Sequence, residues 1–61
     1  MSMYDIVIIQ ESGKIYSWAL RQVSPYKVIA TSQLIGEKYL VENEARELAN
    51  LFGLVVFVEE N

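Results

Sequence analysis

Cysteine and histidine are both missing from the 61-residue sequence, which also has one proline, three glycines and only five basic side chains. Without cysteine there is no disulfide, and without either residue the usual zinc and haem ligands are gone. The carboxylates do not show the turn-forming spacing of an oxygen-only cation site, so no metal or cofactor is expected. Nucleophilic catalysis lacks its commonest base and its thiol. Ser12, Ser17, Ser24 and Ser32 have no nucleophile-elbow context. The glycines stand alone at 13, 36 and 53, so no phosphate-cradling loop is present. An enzyme is therefore not expected. No apolar run approaches the roughly 18 residues that span a bilayer, so no membrane contact is expected. The opening "MSMYD" has neither a basic n-region nor a cleavage site, and a cytoplasmic location fits.

Positive charge is scarce where a nucleic acid would need it. The net charge is −3; residues 1–36 sum to +1 and residues 37–61 to −4, with six Glu against Lys38 and Arg46. Binding to phosphate backbones calls for several Lys or Arg acting together, so nucleic acid is a disfavoured partner.

What is abundant is apolar surface, 52% of the residues. Residues 1–61 make a single domain. A chain this short buries only about 60% of the surface its unfolded form exposes. One such core supplies roughly 3–5 kcal/mol, and small domains usually add a staple. With disulfides and metals excluded, association is the staple left.

The pattern along the chain reads β-β-β-α-β: an α+β fold with an antiparallel sheet and one helix packed on one face. "YDIVIIQ" (4–10) is a β-branched run. Ser12-Gly13 suits a two-residue hairpin turn. "KIYSWALR" (14–21) alternates, with Tyr16, Trp18 and Leu20 on one face. Pro25 breaks the pattern before "YKVIATSQL" (26–34), and "IGEK" (35–38) reads as a loop. From Val41 to Phe52 the apolar positions 41, 45, 48, 49 and 52 follow a helical stripe, with Glu42, Glu44 and Glu47 outside it. These early Glu residues suit the positive end of the helix dipole. Gly53 stands where a left-handed closing residue belongs, with Leu54 able to make the following contact. "LVVFVEE" (54–60) closes the chain as a fourth strand.

One helix covers one sheet face, yet strands 1 and 4 are apolar on both. Antiparallel sheets with a solvated face normally alternate apolar and polar residues. A homodimer through the open face, or a strand exchanged between protomers, resolves the mismatch. The expected core is Ile6, Ile8, Tyr16, Trp18, Leu20, Val28, Ala30, Ala45, Leu48, Phe52, Val56 and Val58. The expected self-association interface is Val7, Ile9, Ile15, Ile29, Val55 and Phe57. Which of the two faces carries the helix stays open.

The segments "GKIYSWALR", "VIATS" and "YLVENEAR" resemble the YegP-like family of small domains over roughly residues 13–50. The resemblance is carried by Trp18, Leu20 and Arg21, by Val28, Ile29, Ala30 and Ser32, and by Tyr39, Ala45 and Arg46. It implies a β-β-β-α unit that pairs with a second copy, in tandem or as a homodimer, and it implies no chemistry. The chain departs from the family at "VSPY", at the longer "QLIGEK" loop, and at Leu40 and Val41, which replace the paired serines that would cap the helix.

Two rival functions remain to weigh against self-association. A small acidic protein could bind and inhibit a partner protein, its carboxylates imitating nucleic-acid charge through Glu42, Glu44, Glu47, Glu59 and Glu60. The plainer reading of those residues is a solvated face. A weak single-strand binder could stack bases on Tyr16 and Trp18 beside Lys14, Arg21 and Lys27, although alternate aromatics on a strand are more often core. Asp5, inside the first strand, reads as a charge that keeps an edge strand from aggregating.

Overall fold

Turn chemistry and apolar alternation fold the first half of the chain into a meander, seen in a computed structural model that describes residues 3–59. Strand β1 spans Tyr4–Ser12, β2 Ile15–Gln22 and β3 Lys27–Thr31, followed by helix α1 at Lys38–Phe52 and strand β4 at Val55–Glu59. The first turn is Gly13-Lys14, one residue later than the Ser12-Gly13 expected. Gly13 takes φ 38°, a left-handed value that glycine accepts without a Cβ penalty. Ser12 then faces Ile15, and a register shift between Gln10 and Ser12 leaves Glu11 as an extra residue in β1. Beyond that bulge β1 and β2 pair without interruption from Gln10–Tyr16 to Tyr4–Gln22.

The sheet order is β3-β2-β1-β4, and β4 runs parallel to β1. The sheet is therefore mixed, which corrects the expectation of an antiparallel one. The reason lies in counting reversals: β1 and β3 run the same way, and one helix turns the chain back once more. A 15-residue helix spans about 22 Å, enough to return the chain to the end where β3 began. The next strand is then parallel to whichever outer strand it joins. It joins β1, in the register Asp5–Val55 to Ile9–Glu59.

Helix α1 begins three residues before Val41. Its first turn, Lys38 to Val41, holds no acidic side chain, so the Glu residues do not act on the dipole as expected. Glu37 flanks it in extended conformation without a side-chain cap, and its backbone carbonyl accepts the Leu40 and Val41 N–H groups at 3.2 and 3.3 Å. At the other end Gly53 adopts φ 68°, ψ 39°, and the Leu54 N–H donates to the Ala49 carbonyl at 2.8 Å. This is the closure anticipated at Gly53 and Leu54.

Small residues let the helix lie close to the sheet. Val41, Ala45 and Ala49 pack on Ile6 and Ile8 of β1, with Tyr16, Trp18, Leu20, Leu48, Leu54 and Val56 around them. Ile35, expected in a loop, joins this core because the chain rejoins the ladder there. Ile35 and Tyr16 exchange two backbone hydrogen bonds of 2.8 Å. Val28, Ala30, Phe52 and Val58, expected in the core, are exposed. A helix about 10 Å wide covers roughly half of four strands set about 4.8 Å apart. The helix leaves β3 uncovered and reaches β4 only at Val56, which is half-buried, while Val28 stands beside Arg21 on the opposite face of the sheet.

Candidate functional site

The face of the sheet opposite α1 carries the alternate residues of each strand. Asp5, Val7 and Ile9 come from β1, Ser17, Ala19 and Arg21 from β2, and Val55 and Phe57 from β4. Near one end of the strands Arg21 faces Asp5 across the ladder and clasps it with two bonds. Nε donates to Oδ1 at 2.8 Å and Nη2 to Oδ2 at 2.9 Å. The hydrogen bond to Asp5 holds the Arg21 guanidinium above its ordinary pKa. The Tyr26 ring lies 6.0 Å from the guanidinium carbon and extends this cover. Nearby, the Ser17 hydroxyl donates to a Glu11 carboxylate oxygen at 2.7 Å. Asp5 is therefore no edge charge: β1 lies between β2 and β4. It is the buried half of a cross-strand pair, which sequence reasoning missed.

This polar pair occupies one end of the open face. Val7 is only 2% exposed, so the chain covers it without help, and Ile9 is half-buried. The other four interface candidates are exposed but separate. Ile15 starts β2, Ile29 occupies the register shift in β3, and Val55 and Phe57 stand together on the far edge strand β4. Beside them Val58 is 52% exposed on the helix side of the same strand.

On the helix face the Trp18 indole N–H donates to Glu44 Oε1 at 3.1 Å. Trp18, Glu44, Glu47, Leu48 and Leu51 line a groove of about 260 Å³. Leu51, which the helical stripe placed at the margin of the core, stands exposed here, and Phe52, placed inside it, is exposed beside Tyr4, Leu20 and Leu54. Of the other acidic candidates, Glu42 is half-buried on α1, Glu59 ends β4, and Glu60 lies outside the described residues. The five candidate nucleic-acid contacts do not share a face. Tyr16 and Trp18 pack against the core, while Arg21 is on the opposite face with Asp5. Lys14 sits in the first turn and Lys27 opens β3.

A polar detail also escaped the sequence reading. Between β3 and Ile35 the ladder is interrupted, and the Ser32 hydroxyl stands in for a backbone carbonyl by accepting the Trp18 N–H at 3.0 Å. Among the described residues no helix is long and apolar enough to cross a membrane, and no group of His, Cys, Asp or Glu is placed to hold a metal. No family model, curated protein or solved structure matches the chain.

Proposed function

We propose that the chain is a small, non-catalytic interaction module that self-associates as a homodimer, with open-face side chains of β4 in the contact. The observation that carries this reading is β4 itself: Val55 and Phe57 are neighbours on its open face and Val58 stands on its helix face, all apolar and more than half exposed. Contiguous apolar exposure of this kind marks a binding surface more often than scattered single residues do. The Asp5–Arg21 pair supports a contact at the margin, because stacking a second sheet over the whole face would strip water from it. The resemblance to YegP-like domains implies pairing of the same kind. A cysteine-free chain suits the reducing cytoplasm as its location. Light scattering on a size-exclusion column at micromolar concentration tests the reading. A mass of about twice the 7.0 kDa chain is expected, and a single-chain mass overturns it.

One observation favours a second reading. The groove at Trp18 and Leu51 has an apolar floor and the carboxylates of Glu44 and Glu47 at its rim. That combination suits a basic, partly apolar segment of a partner protein. Capture of such a partner that is lost on charge reversal at Glu44 and Glu47, while the chain is monomeric, would favour this reading over self-association.

A further inference from the structure

The two strands that border the sheet differ in how they are defended. An edge strand presents unpaired N–H and C=O groups, and natural edges are blunted by bulges, lysine or proline. Strand β3 has a register shift between its partners Leu20 and Arg21, a lysine at its first position, and Pro25 in the turn before it. Strand β4 has none of these. Its five residues, VVFVE, pair with β1 without a shift, and among the described residues no strand pairs with its outer edge. Val55, Phe57 and Val58 are 60%, 52% and 52% exposed.

Resting on the self-association reading above, we propose that β4 of a second copy occupies this edge, running antiparallel about a two-fold axis at Phe57. A two-fold axis normal to the sheet keeps each strand's faces in place, so opposed residues must share a face and the axis must pass through a residue. Phe57 is the middle residue of β4, and only centring there opposes all five residues. Phe57 then meets its own symmetry mate on the open face. Val56 meets Val58 of the partner subunit on the helix face, and Val55 meets Glu59 of the partner subunit. The two Glu59 side chains fall at opposite ends, about 13 Å apart along the strand at a rise of about 3.3 Å per residue. No like charges are opposed and no large apolar residue of β4 is left at a free edge. β3 offers no such self-match, because its register shift breaks the ladder within five residues. The product is one continuous eight-stranded sheet with both helices on the same side.

The lack of cysteine makes the test clean. Antiparallel residues opposed at the axis have Cα atoms about 4.5–5.5 Å apart, within the roughly 4.4–6.8 Å that a disulfide spans. Phe57→Cys is oxidised under a glutathione buffer beside Ile29→Cys on the other edge, and Phe57→Lys is followed by sedimentation. Phe57→Cys should become mostly covalent dimer, at least tenfold faster than Ile29→Cys. Phe57→Lys, which opposes two cations, should weaken self-association at least tenfold with its far-ultraviolet circular dichroism unchanged. A wild-type dimer in which Ile29→Cys links as fast as Phe57→Cys, or which Phe57→Lys leaves intact, overturns the edge assignment while self-association stands. A wild-type chain that sediments as a monomer throughout overturns both.

Discussion

Removing Arg21 should hurt this domain more than removing Asp5, although each deletion breaks the same pair. Asp5 is the inner partner, its side chain 9% exposed against 22% for Arg21, and both its oxygens accept charged hydrogen bonds. Arg21→Ala leaves a carboxylate enclosed by the sheet with no partner. Stranding one member of a fully buried pair costs about 3–5 kcal/mol; with water reaching the Arg21 side, about 2–3 kcal/mol is the expectation here. Asp5→Ala leaves a guanidinium on a long stem that can turn outward, at about 1 kcal/mol. The double variant should cost about 1–2 kcal/mol less than the two singles together, because the second deletion removes a group already stranded. A domain of roughly 3–5 kcal/mol would be partly unfolded by Arg21→Ala, so urea titrations should include a stabilising osmolyte. All four proteins belong at one chain concentration, since self-association raises apparent stability. Equal single costs that add in the double variant would refute the reasoning.

Three further perturbations separate local effects. Gly53→Ala should lower stability by about 1 kcal/mol in thermal unfolding. A Cβ there meets nothing within 4 Å, so the whole cost comes from φ 68°, and Gly53→Asn should recover part of it. Ser32→Ala removes the acceptor of the Trp18 N–H and should cost about 1 kcal/mol, with faster hydrogen exchange at that amide than at its ladder neighbours. Glu44→Ala should alter the fluorescence of Trp18, the sole tryptophan, at a cost of less than about 1 kcal/mol, whereas Glu44→Gln keeps an acceptor and should leave the emission near wild type.

The parts that were legible in the sequence are those set by neighbouring residues. The stripe at Val41, Ala45 and Ala49 and the closure at Gly53 and Leu54 depend only on helical spacing and on one glycine. The helix start did not show, because Glu37 caps through its backbone and Tyr39 and Leu40 blur the apolar stripe. The Asp5–Arg21 pair was hidden by one residue of register. A Ser12-Gly13 turn would set Asp5 against Leu20, on the wrong face, whereas the Gly13-Lys14 turn and the extra Glu11 set it against Arg21. The direction of β4 follows from counting reversals, but its choice of the β1 edge depends on packing across the whole sheet. The exposure of Val58 likewise reflects the width of one helix against four strands, and that of Val28 and Phe57 the bare opposite face, quantities no local pattern contains.

Hydrogen exchange along β4 tests self-association at this edge most directly. In a lone chain every second β4 amide points away from β1 and lacks an acceptor; in the paired edge all of them are bonded. Residue-resolved exchange should therefore show protection throughout Val55–Glu59 at high chain concentration, with the alternate amides released on dilution. Alternate β4 amides that exchange at the unprotected rate at every concentration would contradict the account.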